Sequence, residues 1–197
     1  MKKIFIIFIM SFFLNNINAQ TDKGNFLLSG STGDITLLSN TTNNISTGIF
    51  EINYETSVGY FIANNIAVGF SYSLETQSTA LTNGSYEYAE ANSISVIAPF
   101  IQLYLGETNL YTKASFGYGT NAQLITETGF YDYTNTTTAS SLGLDIGYSR
   151  FWNDFVSSDL SLGLGRVKDD ESGAVYGGLS LNGGISLYTN KFFAKLK

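Results

Sequence analysis

The chain has 197 residues, of which 44% are apolar and only 13% are charged, so a fully solvated outer surface would have too few charged side chains to cover it. Cysteine and histidine are both absent, which excludes disulfides, thiolate and imidazole metal sites, and catalysis by a histidine base. The net charge of −6 argues against nucleic acid as a partner, because nucleic-acid binding needs a basic surface.

Residues 1–19 have the features of an export signal. Lys2 and Lys3 precede an apolar run of 11 residues that ends at Leu14, and a small alanine closes the segment. The run is too short to span a bilayer, which takes about 20 residues in a helix. We therefore predict a signal peptide over 1–19 and a single mature domain over 20–197, with a net charge of −8 once the two lysines are removed.

The first clear strand pattern lies in residues 50–75. Apolar and aromatic residues occupy every second position, and Gly, Ser, Asn and Glu occupy most of the positions between them. The alternation stops at 63–65, where two asparagines favour the left-handed backbone of a tight turn, and then resumes in the same parity. This pattern predicts one long antiparallel hairpin in which Ile62 lies opposite Ile66.

The hairpin pattern recurs at 141–165, with a turn at 152–154. Further alternating runs lie near 25–38, 92–105, 109–119 and 175–188, which brings the number of predicted strands to eight. Pro99 falls within the fourth strand and would remove a ladder hydrogen bond unless a bulge absorbs it, so the inward face of that strand stays open.

The predicted connections alternate in length. Short ones lie near 63–65, 106–109 and 152–154, and long polar ones lie near 39–48, 77–91, 120–137 and 167–174. An even number of strands with alternating short and long connections is typical of an all-β, eight-stranded antiparallel up-and-down transmembrane β-barrel.

The distribution of side chains decides which face of the barrel is apolar. A soluble barrel would carry many charged residues outside, whereas here the polar face is mostly Gly, Ser and Asn, which suit a narrow interior. The large aliphatic residues then face lipid. Aromatic residues towards the strand ends are expected in the girdles at the two membrane interfaces: Tyr60, Tyr72, Tyr104, Tyr118, Tyr148 and Trp152.

Several segments resemble a known family. The stretch GYFIANNIAVGFSYSLE resembles the second hairpin of small bacterial outer-membrane β-barrel proteins of the OmpX and OmpA-barrel type, as found in Bacteroidota, and APFIQLYL resembles their fourth strand. The NAQ that ends the signal is also similar to theirs. The resemblance implies a cell outer-membrane location. Such barrels usually end on an aromatic residue, whereas here Phe192-Phe193 is followed by four more residues.

By parity, five charged side chains point into the lumen: Glu51, Glu55, Lys113, Asp145 and Asp159. Unpaired carboxylates are costly in a space shielded from water, so we expect Lys113 and nearby hydroxyls to be their partners. The favoured interpretation is a polar cluster that fills the barrel. The alternative is a proton or cation site built from coupled carboxylates.

The residues indicate no catalytic site, no metal site and no cofactor. Two carboxylates could hydrolyse a glycoside, but the acids in the predicted loops follow no pattern: Glu87, Glu90, Glu127 and Asp132. We therefore expect a monomeric protein in outer-membrane lipid with a structural or surface-interaction role. Its Tyr- and Thr-rich loops, NGSYEYAEAN and GFYDYTNTTT, would contact other cell-surface molecules. A narrow porin or small-solute channel is the alternative.

Overall fold

The structure, a computed structural model, describes residues 21–42, 45–106, 108–129 and 132–189, so the predicted signal peptide and the Phe192-Phe193 segment lie outside the described residues. Eight strands follow one another along the chain: β1 (Phe26–Thr42), β2 (Ile45–Ala63), β3 (Ile66–Asn83), β4 (Tyr86–Tyr104), β5 (Leu110–Glu127), β6 (Tyr133–Phe151), β7 (Val156–Asp169) and β8 (Val175–Thr189). Each strand pairs antiparallel with the next and β8 pairs with β1, which closes the barrel. No helix among the described residues is long and apolar enough to cross a membrane.

The predicted division between an apolar outer face and a polar inner face is confirmed. Phe70 in β3 and Leu162 in β7 point outward and are 64% and 55% exposed, whereas Ser57 and Ser71 on the opposite face are buried. Since successive side chains of a strand point to opposite faces, the period of two in the sequence carries directly into this arrangement. Large apolar side chains exposed over a continuous band are suited to lipid rather than to water.

The structure settles the orientation of β4, which the sequence leaves open. Val96, Phe100 and Gln102 are buried inside the barrel, and Ile97 and Pro99 point outward. The pairing of β4 with β3 runs through Pro99 without a break, but its pairing with β5 omits positions 98 and 99 and then continues in the same register. The proline therefore interrupts one ladder locally and produces no bulge.

The turn between β2 and β3 differs from the predicted one. Ala63 pairs with Ile66 and Phe61 pairs with Ala67, so Ile62 lies in a bulge and the predicted Ile62–Ile66 pair is wrong. Asn65 adopts the left-handed conformation, with φ of 66°, as expected of an asparagine in a tight turn. Phe61, which precedes the bulge, points into the barrel by the ordinary alternation of β2 and is fully buried.

The largest difference from the prediction concerns the connections at the upper end, opposite the turn at 64–65. Most of the long polar segments predicted as loops are strand, and the upper connections shrink to 43–44, 84–85, 128–132 and 170–174. These segments are rich in Thr, Ser and Tyr, which form strands readily, but they lack the bulky apolar alternation that marked the lower strands. The apolar alternation in the sequence therefore ends before the strands themselves end.

The outward face changes character along several strands, as β3 shows. In β3 the outward residues run from Val68 to Leu74 as large apolar or aromatic side chains, and then continue as Thr76, Ser78, Ala80 and Thr82. The nine residues beyond Leu74 extend about 30 Å along the strand at roughly 3.3 Å per residue. We call this upper, polar-faced part of the strands the extension.

Candidate functional site in the barrel lumen

Aromatic side chains fill the lower end of the lumen. This plug consists of Leu27, Phe61, Ala67, Tyr104, Tyr111, Phe151 and Tyr188, all buried. The Oη atoms of Tyr104 and Tyr188 lie 2.8 Å apart, and Gln102 Nε2 donates to Tyr104 Oη at 2.9 Å. The predicted place of Tyr104 in an outer girdle is therefore wrong, because the parity of β4 turns its ring into the lumen. The girdle positions Tyr60, Tyr72, Tyr118 and Trp152 do face outward.

Immediately above the plug lies a small lower cavity of about 50 Å³, with room for only a few water molecules. Its lining brings together four of the five predicted lumen residues: Glu55, Lys113, Asp145 and Asp159. Each comes from a different strand, β2, β5, β6 and β7, so only the closure of the barrel makes them neighbours.

Lys113 is the central cation of this cluster. Its Nζ contacts Glu55 Oε1 and lies 4.9 Å from the centre of the Phe100 ring, and Asp145 is its direct cross-strand neighbour on β6. The side chains of Lys113 and Glu55 are 10% and 32% exposed, so both charges are largely withdrawn from water. A lysine held between two carboxylates in this way is suited to locking the strands together, since neither sign of charge is left without its counterpart.

Asp159 is held by hydroxyl groups rather than by a cation. Ser157 Oγ donates to Asp159 Oδ1 at 2.9 Å, and Ser186 Oγ donates to Asp159 Oδ2. The serines that the sequence pattern indicates only as small inward residues therefore supply the hydrogen bonds that this carboxylate requires.

Glu51 is not part of the lower cluster. It lines a separate upper cavity of about 520 Å³ within the extension, together with Glu75, Glu90 and several side-chain amides. The predicted grouping of Glu51 with Lys113 is wrong, because Glu51 lies one inward position above Asn53 and two above Glu55 on the same strand.

Glu90 is held in the upper cavity by three hydrogen bonds. Gln123 Nε2, Tyr88 Oη and Asn92 Nδ2 all donate to its carboxylate, at 2.9, 2.9 and 3.2 Å. These hydrogen bonds, with that from Gln123 the strongest, lower the pKa of Glu90 and keep it ionised. The sequence places Glu90 in a solvated loop, and this is wrong because β4 extends through it.

A third polar group organises the upper connection between β7 and β8. Asp169 is buried and accepts hydrogen bonds from Thr137 Oγ1, from Asn121 Nδ2 at 3.3 Å, and from the backbone N–H of Ser172 at 2.8 Å. The contact with Thr137 is the main reason that the pKa of Asp169 lies well below its ordinary value. No group of acids suited to a metal ion occurs among the described residues.

Comparisons with known proteins agree with this fold. No family model and no curated protein matches the sequence. Among solved structures, the attachment invasion locus protein Ail of Yersinia pestis, in complex with the heparin analogue sucrose octasulfate, is similar to this chain with a TM-score of 0.51 and 11% identity, over 85% of this chain and 99% of Ail.

Two further matches are the N-terminal β-barrel domain of OprF from Pseudomonas aeruginosa and neisserial surface protein A. The OprF domain has a TM-score of 0.48 and 12% identity, over 85% of this chain and 98% of the domain. The neisserial protein has a TM-score of 0.44 and 14% identity, over 84% of this chain and 97% of its own. The protein is thus an eight-stranded antiparallel β-barrel with the fold of the small outer-membrane barrel proteins.

Proposed function

We propose that the protein resides in the outer membrane, with its lower end in the periplasm, and that it has a structural or surface-interaction role performed by the extension. Two features of the barrel support this location. The outward face carries a band of large apolar side chains such as Phe70 and Leu162, and the strands are long enough to cross a bilayer, which takes about 9 to 11 residues.

The observation that carries the proposal is the contrast between the two ends of the barrel. Below, the lumen is filled by the aromatic plug and the Lys113 cluster, which argues against conduction. Above, four consecutive strands, β3 to β6, continue past the apolar band with Thr, Ser or Ala at most of their outward positions. A rigid, hydrogen-bonded extension presents a binding surface at little cost in conformational entropy.

A narrow channel is the alternative function, and an enzyme is a third class. A channel needs a continuous bore, whereas the cavity beside Lys113 holds about 50 Å³ and the rings of Tyr104, Phe61 and Tyr188 lie below it. Hydrolysis with a serine nucleophile needs a base, and the chain has no histidine to supply it. We therefore favour the interaction role over both.

Shortening one hairpin of the extension tests this role. Ser78 and Ala91 face each other across β3 and β4, so residues 79–90 can be replaced by an Asn-Gly turn that preserves the register below. Cells that produce the shortened protein should lose the adhesion or aggregation that the full-length protein confers on a strain lacking it. The shortened barrel should still fold.

The matched control is Asp154→Asn in the lower connection, which changes an exposed acid at the opposite end of the barrel. This variant should adhere like the unchanged protein. Equal adhesion by the shortened protein, or no adhesion conferred by the full-length one, would contradict the proposal.

A further inference from the structure

The wall of the barrel is incompletely paired between its first and last strands. β1 and β8 pair only from Phe26↔Thr189 to Thr32↔Gly183, and above this point positions 33–42 of β1 and 175–182 of β8 form no pairs with each other. On their other sides both strands remain paired, β1 with β2 up to Thr42 and β8 with β7 up to Val175. We call this unpaired stretch the seam.

The seam begins at the depth of the apolar band. Gly183, Leu181 and Leu179 of β8 pair with Leu160, Leu162 and Leu164 of β7, whose side chains all point outward and are exposed. The edge of β8 is therefore unpaired with β1 at a level where its neighbour faces lipid. Unpaired backbone is tolerated at membrane depth only where it lines a cavity that supplies partners.

The upper cavity reaches this seam. Its lining includes Leu179, an outward residue of β8 that is 68% exposed, beside the inward Gly178 and Ser180. A methyl group added at Gly178, or at Gly165 on β7, would meet no atom within 4 Å, so both backbones border open space. The cavity of about 520 Å³ thus borders the unpaired edge of β8, and its size is that of a small-molecule site.

The lining is acidic and rich in hydrogen-bonding groups. It contains three glutamates, Glu51, Glu75 and Glu90, and five amides, Asn53, Gln77, Asn92, Asn121 and Gln123. No lysine or arginine occurs among the described lining residues.

We propose that the upper cavity is a binding site for an amphipathic cation, a primary alkylammonium with a single hydrocarbon chain. The ammonium group would lie among Glu51, Glu75 and the amides, and the chain would leave the seam beside Leu179 and lie against the outward leucines of β8 in the outer leaflet, so that the cavity side of the seam stays open to water. The acidic lining favours a positively charged head group, because the charges are complementary. The position of the seam within the apolar band favours a hydrocarbon tail. The inference rests on the membrane location proposed above but not on surface adhesion.

Calorimetric titration of the mature protein in lipid nanodiscs, with empty nanodiscs as blank, tests the site. The probe is n-octylammonium, compared with octanoate, octanol and ethylammonium. Octylammonium should bind saturably at one site, and about tenfold or more tightly than each of the other three, since each lacks the charge or the chain.

Two pairs of variants locate the site. Glu51→Gln with Glu75→Gln removes two charges, and Gly165→Phe fills the cavity; each should weaken octylammonium binding by about tenfold or more. Glu171→Gln, in the exposed upper connection, and Gly48→Phe, at an outward position with open space around it, are the matched controls and should bind as the unchanged protein does. Gly178→Phe replaces Gly165→Phe if that variant does not fold.

Absence of saturable binding, equal affinity for octanoate, or no effect of the paired glutamine substitutions would overturn the proposal. Equal affinity for ethylammonium would overturn the role of the seam, because the hydrocarbon chain would then contribute nothing. A protein that cannot be incorporated into nanodiscs at all would instead contradict the membrane location itself, while a failure of octylammonium alone leaves the adhesion experiment unaffected.

Discussion

Lys113 is the residue on which the charge balance of the lower lumen depends. It contacts Glu55 and lies beside Asp145, and all three line the lower cavity. Burying such charges is costly by itself, so their arrangement stabilises the barrel only while each sign has its partner. Removal of the Lys113 charge is thus expected to lower the free energy of unfolding far more than removal of a surface charge.

Lys113→Met should destabilise the barrel by about 3 to 5 kcal/mol, and less where water enters, because it leaves Glu55 and Asp145 without a counter-charge. Adding Glu55→Gln, or Asp145→Asn, to that variant should recover part of the loss. The measurement is a set of double-mutant cycles on the free energy of unfolding in urea. Lys168→Met is the control, because the exposed Lys168–Asp170 pair at 3.8 Å contributes roughly 0 to 1 kcal/mol. Additive effects of Lys113→Met and both carboxylate substitutions would contradict the assigned pairing.

Asp169 gives the upper connection between β7 and β8 a defined pH dependence. Its pKa in the folded protein lies below the unfolded value of about 3.9, so its hydrogen bonds stabilise the connection fully above that value and are lost as the pH falls towards the folded pKa. Protection of the backbone N–H groups of Glu171 and Ser172, which both face Asp169, should therefore persist at neutral pH and fall only in strong acid.

Hydrogen exchange followed from neutral to strongly acidic pH, corrected for the intrinsic exchange rate, measures this protection. In Asp169→Asn the protection of these two N–H groups should already be reduced at neutral pH. It should show no further decrease as the pH falls into the strongly acidic range. A step that persists in the Asn variant would show that another group controls the connection.

Among the structural elements, β3 and β7 show how the outer face changes from apolar to polar within one strand. Phe70 and Leu162 lie within the apolar band, whereas Thr82 lies outward near the end of the extension. Thr79 is expected from the sequence to be a loop residue, but it belongs to β3 and is inward by parity, so it cannot serve as a loop position.

Phe70→Arg and Leu162→Arg should each cost about 2 to 4 kcal/mol, because a charged side chain is placed in lipid. Thr82→Arg should be nearly neutral, since it faces water. Refolding into lipid followed by urea unfolding gives the comparison. Equal tolerance of arginine at all three positions would mean that the outer face does not contact lipid.

For the molecule as a whole, the plug decides whether solutes can pass. The ring centre of Phe61 lies 6.0 Å from that of Tyr104 and 6.3 Å from that of Tyr188, and the Tyr104–Tyr188 hydrogen bond joins β4 to β8 across the barrel. We therefore expect the refolded mature chain to show no stable conductance in a planar bilayer.

Replacing Phe61 and Tyr188 together by Ala should remove most of the plug and produce small, discrete openings. Substitution of the outward Tyr60 and Tyr118 by Ala is the matched control, since it removes two aromatic rings without touching the lumen. Reproducible openings of the unchanged protein would favour the channel, and a silent plug variant would place the barrier higher, at the Lys113 cluster.

The sequence by itself determined the strand number, the antiparallel order and the outward face of β2, β3, β5, β6 and β7, because a period of two transmits directly to the two faces of a strand. It also identified Glu55, Lys113, Asp145 and Asp159 as inward residues. The orientation of β4 stayed open, since Pro99 and its neighbours Ala98 and Phe100 give no clear alternation.

Only the tertiary structure decided which of these residues meet. Strand register and the closure of the barrel bring Glu55 to Lys113 over a separation of 58 residues and leave Glu51 in a different cavity, and no local pattern encodes such a register. The same holds for the plug, since Tyr104 faces inward only because of the parity of β4. The extension and the seam depend on how far the strands continue to pair beyond the apolar band. There the strands are rich in Thr and Ser and are held by backbone hydrogen bonds, so no alternation of apolar residues marks them in the sequence.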